Sequence, residues 1–156
     1  MRSFATLTGL RNITFNGYNS LTDFNLLITK NTKVNDTKPR TPNIKLPYRQ
    51  GRVRASRASG VLMFDERVLT YEFKIIEDTP QALRTKISQV EAWLYSHDTD
   101  RIVDNFEAGY YFDDCECTEI KVENKSEGYL NMAYLTATFT AYPFKKSTTQ
   151  GGADVV

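Results

Sequence analysis

Residues 67–76 read Arg-Val-Leu-Thr-Tyr-Glu-Phe-Lys-Ile-Ile, and this stretch decides the fold class. Its bulky apolar side chains recur at every second position, which is the pattern of a β-strand with one buried face. The buried face is expected to carry Leu69, Tyr71, Phe73 and Ile75, and the other face Val68, Thr70, Glu72 and Lys74. The stretch therefore predicts a strand in a half-buried sheet.

A helix is predicted directly after this strand. Thr79 and Pro80 supply an N-cap and a first-turn proline. Apolar side chains then recur at helical spacing, so we predict one amphipathic helix over residues 80–96. Its core stripe is Leu83, Ile87, Val90, Trp93 and Leu94. A stripe of this composition is typical of a core and not of a cofactor site.

Further strands are predicted on both sides of this unit. The Asn16-Gly17 turn, between apolar segments at 13–15 and 24–28, favours a first hairpin. Residues 97–109 are acidic and are expected to be irregular, and extended structure resumes at 109–112. Residues 116–123 and 129–142 are predicted to form two strands joined by a turn at 124–128, with Pro143 ending the second.

Length and composition indicate one folded domain. The chain has 156 residues, of which 40% are apolar and 12% aromatic, enough to form a core and to exclude wholesale disorder. No apolar run approaches the roughly 20 residues that span a bilayer, and the N-terminus does not resemble a signal peptide. We predict a mainly β (α+β) fold, a β-sandwich of antiparallel sheets flanked by one helix. The expected domain is 1–146, and residues 147–156 have the composition of a flexible linker.

A basic segment interrupts the sandwich pattern. Residues 30–60 hold nine Lys or Arg, one acid and three prolines, without a clear period. Unstructured connections this long are usually functional or disordered, so we predict a long extended arm. Residues 44–48 within it are expected to form an edge strand, because Pro47 cannot donate to a ladder.

Charge is divided unevenly along the chain. Residues 1–60 hold eleven Lys or Arg and two Asp or Glu, whereas residues 61–156 hold nine Lys or Arg and seventeen Asp or Glu. The net charge of +1 is therefore the sum of a basic part and an acidic part. Two surfaces of opposite charge on one subunit suit a head-to-tail contact between identical copies, which closes into a ring. Self-association is therefore the favoured interpretation of the charges.

Catalytic and metal-binding patterns are not found in the sequence. A Gly-x-Ser-x-Gly elbow, a phosphate-binding loop and a dinucleotide-binding turn are all missing. The single His97 and the closely spaced Cys115 and Cys117 cannot complete a zinc site unless carboxylates or a second subunit contribute ligands. Acidic neighbours should raise the pKa of both thiols, which argues against a reactive cysteine, so buried or half-buried strand thiols are expected. We predict neither an enzyme nor a cofactor nor a metal.

Nucleic-acid binding is an alternative interpretation of the arm. Arg49, Arg52, Arg54 and Arg57 lie within nine residues and would neutralise phosphates, with Tyr48 available to stack on bases. No recognition motif accompanies them, and the acidic part of the chain would repel a phosphate backbone.

The order of several short motifs resembles a known family. The motifs are Phe-Asn-Gly-Tyr-Asn-Ser at 15–20, Leu-Pro-Tyr-Arg-Gln-Gly at 46–51, Ala-Trp-Leu at 92–94, Gly-Tyr-Tyr-Phe at 109–112 and Thr-Phe-Thr-Ala-Tyr-Pro-Phe at 138–144. In this order they resemble the N-terminal, ring-forming domain of distal tail proteins of long, non-contractile-tailed bacteriophages, which are related to tail-tube proteins. The resemblance covers most of residues 12–146.

This resemblance implies a structural virion protein. It implies a sandwich with one helix, assembled as a hexameric ring at the distal end of the tail tube, which joins the tube to the baseplate and host-recognition apparatus. The implied partners are copies of itself, the tail-tube protein and baseplate or tail-fibre proteins, with DNA passing through the ring without specific binding and with no membrane insertion. The implied location is the virion tail tip, after assembly in the host cytoplasm. A tail-tube or tail-completion subunit of the same fold is the alternative.

Two sets of residues follow as hypotheses for the ring. The inter-subunit arm would use Lys33, Lys38, Arg40, Lys45, Arg49, Arg52, Arg54 and Arg57. The acidic complement would be Asp98, Asp100, Asp104, Asp113 and Asp114, and the same acids are also candidates for the face that lines the ring's channel. Such charge pairs would act mainly on register and choice of partner.

Overall fold

The structure is a computed structural model that describes residues 3, 4, 7, 9–39, 43–44, 53–54, 64–96, 99–128, 130–149 and 151–155. The strands are β1 (Ile13–Phe15), β2 (Tyr18–Asn19), β3 (Leu27–Ile28), β4 (Lys33–Val34), β5 (Asn43–Ile44), β6 (Val53–Arg54), β7 (Arg67–Glu77), β8 (Asp100–Asp104), β9 (Tyr110–Asn124), β10 (Asn131–Ala141), β11 (Lys145–Ser147) and β12 (Asp154–Val155). One helix, α1 (Pro80–Leu94), lies between β7 and β8. It is too short to span a membrane, and none of the helices in the described ranges could do so.

Strand β7 forms as predicted, and it lies second from one end of the sheet order. It pairs antiparallel with β10 at every position from Arg67 opposite Ala141 to Glu77 opposite Asn131. Its alternate side chains are fully buried, and so are those of β10 that face the same way. The predicted buried face of the strand is confirmed.

Helix α1 packs on this pair of strands. The hydroxyl of Thr79 accepts a hydrogen bond of 3.1 Å from the backbone N–H of Ala82, which makes Thr79 the N-cap. Trp93 is buried, and its Nε1 donates 2.7 Å to the carbonyl of Phe15 in β1. The helix begins where the sequence predicts and ends at Leu94, two residues early. Four residues of the predicted stripe are buried and Ile87 packs against the core from its edge.

The two layers of the sandwich are halves of one folded sheet. Ten strands connect, in the order β2-β1-β8-β9-β10-β7-β3, with β4, β11 and β12 attached beside this path. Strands β1 and β10 stand three places apart, about 14 Å in a flat sheet, yet the rings of Phe15 and Phe139 lie 5.4 Å apart. The sheet therefore folds over its own core. The mainly β class with one helix is confirmed.

Strand β9 carries the fold-over. Residues 110–115 pair with β8 and β11, whereas residues 116–124 pair with β10. Near the junction of these parts Asp114 has a positive φ of 52°, and the pairings with β8 and with β10 both shift register. Such an irregularity bends a strand. Two extended segments predicted at 109–112 and 116–123 are thus one continuous strand.

The first hairpin differs from the prediction in its second strand. Asn16 and Gly17 do form the turn, with φ values of 50° and 80°, but they join β1 to β2 and not to residues 24–28. A two-residue turn brings only its immediate neighbours into register. Strand β3 instead pairs with β7 in the other layer.

Two segments predicted to lack structure are strands. Residues 97–109 contain β8, whose Ile102 is fully buried, so the expectation of an irregular segment there is wrong. The C-terminal segment contains β12, which pairs with β11 and places Lys146 3.1 Å from Asp154. The predicted linker composition of residues 147–156 therefore does not mark the end of the folded domain.

Candidate assembly surfaces

The basic arm leaves the sandwich later than predicted. Residues 30–39 are part of the folded sandwich, because Lys33 and Val34 within them pair with Thr70 and Leu69 of β7, and Val34 packs against the core. The boundary expected at residue 30 is therefore wrong, and the arm comprises residues 40–63. Lys33, in β4, and Lys38, which follows that strand, are both exposed and lie outside the arm.

Both ends of the arm meet at one place, which we call the arm base. Pro39 forms a β-bridge with Phe64, and the backbone N–H of Asp65 donates 3.0 Å to the carbonyl of Lys38. The ring of Phe64 packs edge-on against Phe144 at 4.7 Å. The chain thus departs and returns at a fixed point on the loop that follows β10.

Arg67 holds the arm base from inside. Its side chain is 3% exposed and lies over the ring of Phe112. Its Nε donates a hydrogen bond of 3.1 Å to the carbonyl of Pro143, and its Nη2 donates one to the hydroxyl of Thr37. Burial lowers the pKa of Arg67, although the nearby charges of Asp36 and Glu107 oppose that shift. The hydroxyl of Thr37 also donates to the carbonyl of Pro143, so the start of the arm is tied to the loop after β10.

Within the arm, β5 and β6 pair with each other as a separate two-stranded sheet. Ile44 lies in β5, at the start of the edge strand predicted for residues 44–48. The backbone of Arg54 lies in β6. The other predicted arm residues, Arg40, Lys45, Arg49, Arg52 and Arg57, fall outside the described ranges.

Asp104 does not belong to any acidic surface, so that assignment is wrong. Only 1% of it is exposed, and its carboxylate faces Arg11 in a bidentate pair, with Nη2 2.5 Å from Oδ2 and Nε 3.2 Å from Oδ1. The hydroxyl of Tyr71 donates to the same Oδ2 at 3.0 Å. A buried carboxylate needs such partners. Asp104 is therefore a structural residue between the two layers.

This polar cluster shifts the pKa values of its partners. Burial opposes the charge on Arg11, but the hydrogen bond and the charge of Asp104 outweigh it and raise the pKa of Arg11. Burial raises the pKa of Tyr71 well above its ordinary value, and Asp104 raises it further. The phenol therefore stays protonated and can donate to Asp104. The sequence offers no local signal for this cluster, since its members come from distant segments.

Three of the remaining predicted acids lie together beside the arm base. Asp100, Asp113 and Asp114 line a groove of about 440 Å³, together with Thr99, Arg101, Tyr142 and Lys146. A second groove of about 230 Å³ shares Thr99, Asp114 and Tyr142 with it and adds Phe64, Glu66, Glu116, Thr140, Ala141 and Pro143. We call the two together the acidic groove. Asp98 lies outside the described residues.

The acidic groove has more carboxylates than free cations. Its acids are Glu66, Asp100, Asp113, Asp114 and Glu116. Of its two cations, Lys146 already pairs with Asp154 and lies 4.7 Å from the ring centre of Tyr142, and Arg101 lies 4.6 Å from that of Tyr111. The groove therefore presents net negative charge beside aromatic rings, a combination that suits guanidinium groups.

The two cysteines are buried, as predicted. Cys115 and Cys117 are free thiols. Burial raises the pKa of Cys115 to about 12, helped by Asp113 and Asp114, and burial with Glu116 raises that of Cys117 to about 11. The sequence analysis attributed the raised thiol pKa values to the acidic neighbours alone, but burial contributes more to the shift of both pKa values. Over the ranges the structure describes, no three His, Cys, Asp or Glu side chains are grouped as metal ligands.

Comparisons with known proteins identify the fold. No protein-family model matches the chain, and no curated protein matches it by sequence. The fold does match a solved structure, that of SPP1 Dit (gp 19.1), which is described as a paradigm of the hub adsorption apparatus in phages that infect Gram-positive bacteria. The match has a TM-score of 0.70 at 12% identity and covers 88% of this chain. The fold expected from the sequence motifs is thereby confirmed.

This chain corresponds to about half of the SPP1 protein, because the match covers 52% of that chain.

Proposed function

We propose that this protein is a structural virion protein that forms a ring at the distal end of a bacteriophage tail tube and joins the tube to the baseplate or host-recognition apparatus. The observation that carries the proposal is the likeness to SPP1 Dit over 88% of the chain. It agrees with the motif order and with the absence of catalytic patterns from the sequence. The location would be the virion tail tip, after assembly in the host cytoplasm.

The arm supplies the contact between copies in this proposal. It leaves and returns at the arm base, and residues 40–63 contain six Lys or Arg and no acid. A segment with that charge repels itself and is stabilised by a surface of opposite sign. Its β5–β6 pair has the form of a hairpin, which can reach beyond its own subunit.

The acidic groove is the complement that we propose for the arm. Asp100, Asp113 and Asp114 lie there with Tyr142, while Asp104 does not take part. Because arm and groove are different surfaces of one subunit, the contact is head-to-tail and propagates until a ring closes. Charge-assisted pairs that become desolvated in this contact would each contribute about 1.5–3 kcal/mol, and exposed ones about 0–1 kcal/mol.

The channel of the ring must let DNA pass without binding it. Acidic side chains that the arm leaves uncovered are the candidates for the channel wall, because like charge repels the phosphate backbone. Such a wall gives DNA transient passage without a specific site. The other proposed partners are the tail-tube protein and baseplate or tail-fibre proteins.

Negative-stain electron microscopy of the purified chain tests this function. We expect closed rings with a central hole, six-fold in projection. Long stacked tubes would favour the alternative of a tail-tube subunit. Isolated globular particles at every protein concentration, combined with salt-dependent binding of DNA that is lost when Arg49, Arg52, Arg54 and Arg57 are changed to Ser, would overturn the proposal in favour of nucleic-acid binding.

A further inference from the structure

One edge of the folded sheet is open. Residues 116–124 of β9 pair with β10 on one side, whereas β8 and β11 reach only residues 110–115. Among the described residues no strand covers the other side of 116–124. An uncovered edge presents a row of backbone donors and acceptors to another strand.

The pairing with β10 identifies which backbone groups face outward. The N–H of Lys125 donates 2.9 Å to the carbonyl of Met132 in β10. Successive residues of a strand point their backbone groups to alternate sides, and the register between Asn124 and Ile120 is regular. The N–H and C=O groups of Ile120, Val122 and Asn124 therefore point to the open side.

The side chains at this edge do not oppose pairing. Val122 and Ile120 lie opposite Leu135 and Ala137, both fully buried, so they share the core-facing side of the sheet. Val122 nevertheless remains 40% exposed. Natural edges are often protected by charges that point inward, but here the core-facing Ile120 and Val122 are apolar, and a second strand would lie beside them.

The outward-facing charges are self-complementary. Glu119, Lys121, Glu123 and Lys125 lie on the outer face in alternating sign, joined within the chain as pairs of 3.6 Å and 2.6 Å. If the same strand of a second copy pairs antiparallel about a two-fold axis at Val122, Lys121 stands opposite Glu123 of that copy and Glu119 opposite its Lys125. Registers centred on residue 121 or 123 place like charges opposite each other instead.

We propose that this edge binds a second copy of the chain by antiparallel strand addition, about a two-fold axis at Val122. The free backbone groups of Ile120, Val122 and Asn124 form the new ladder, and the four charges disfavour the registers centred one residue to either side. The contact joins identical surfaces, so it is isologous. This contact does not depend on the proposed function. If the chain forms rings, the contact joins two rings; if the chain does not form rings, the contact joins two single subunits.

Native mass spectrometry of the full chain and its variants tests the proposal. We expect wild type to contain twice as many subunits as Lys121→Glu, which places Glu opposite Glu123 of the second copy. Arg84→Glu, on the exposed face of α1, is the matched charge reversal and should keep the wild-type mass. The fourfold variant E119K/K121E/E123K/K125E restores every cross-strand pair, so it should regain the doubled mass but not mix with wild type.

A second variant tests the backbone hydrogen bonds of the strand contact without changing any charge. Val122→Pro removes an N–H that points to the open side, so the ladder with β10 stays intact. We expect it to halve the wild-type mass while its circular dichroism remains that of a folded β protein.

An unchanged mass for both Lys121→Glu and Val122→Pro, or a fourfold variant that does not regain the doubled mass, would overturn the two-fold contact. Failure of the ring alone gives a different result, namely wild-type dimers that Lys121→Glu converts to monomers of 17.9 kDa.

Discussion

The hydroxyl of Tyr71 donates a hydrogen bond of 3.0 Å to Oδ2 of Asp104, and this bond crosses the core between the two layers of the folded sheet. Strands β7 and β8, which carry these residues, stand three places apart in the sheet order. Arg11 completes the cluster by pairing with the same carboxylate. One buried acid therefore links both layers to the segment that precedes β1.

Removing the cation of this cluster should destabilise the domain strongly. Arg11→Ala leaves the buried carboxylate of Asp104 without its counter-ion, which we expect to cost about 3 kcal/mol of unfolding free energy. Chemical denaturation followed by Trp93 fluorescence measures the loss. Arg101→Ala, which removes an exposed arginine, serves as control and should change stability by less than about 0.5 kcal/mol.

The double variant R11A/D104N makes this prediction specific to the ion pair. Neutralising Asp104 removes the charge that lacks a partner, so the two losses should not add. Strict additivity of the single losses would contradict a coupled pair.

The turn between β1 and β2 should depend on the residue at position 17. Gly17 has a φ of 80° and nothing within 4 Å of an added Cβ, so Gly17→Ala would be strained by its backbone alone. We expect a loss of roughly 1–2 kcal/mol. Gly17→Asn should lose less, because Asn tolerates the left-handed conformation. Equal melting temperatures for wild type and Gly17→Ala would show that the turn adopts another geometry.

The buried thiols should make the fold sensitive to alkaline pH. The pKa of Cys115 is raised to about 12 in the folded state, whereas an unfolded thiol titrates at about 8.5. The unfolded chain therefore loses this proton first, and the stabilisation is complete below pH 8 and declines above it. Between pH 8 and pH 10 we expect Cys115 to account for a loss of about 1–2 kcal/mol.

The variant Cys115→Ala tests this assignment. It should be less stable at neutral pH because it leaves a cavity, but its unfolding free energy should decline less steeply between pH 8 and pH 10. Parallel pH profiles for the variant and wild type would contradict a raised thiol pKa as the cause.

Local patterns predicted the long elements well, for a physical reason. In β7 the inward side chains from Leu69 to Ile75 are bulky and mostly apolar. In α1 the N-cap, the first-turn proline and the apolar stripe agree with one another. Strand β8 was missed because its second inward residue is Asp104, which breaks the alternation. Its burial depends on Arg11 and Tyr71, which no pattern within residues 97–109 can indicate.

The assembly surfaces show the same limit. Sequence charge alone grouped Asp104 with Asp100, Asp113 and Asp114, although only the last three line the acidic groove. It also assigned Lys33 to the arm, because a two-residue strand such as β4 is recognised only through its pairing with β7. The open edge of β9 had no signal either, since an edge is defined by the strands that do not reach it.

The most direct test of the proposed head-to-tail ring is a charge exchange measured by native mass spectrometry. Arg52→Glu with Arg54→Glu reverses two charges of the arm, and Asp113→Lys with Glu116→Lys reverses two charges of the acidic groove. In each double variant alone, the reversed positions add like-charge repulsion to the contact between arm and groove. In an equimolar mixture, each arm meets a groove of opposite sign on the other variant.

We predict that wild type forms a closed multimer that dissociates as ionic strength rises, that neither double variant forms it, and that the mixture restores it with the two variants alternating. A wild-type monomer under all conditions, or a mixture that stays as unassembled as its components, would contradict the contact between arm and groove.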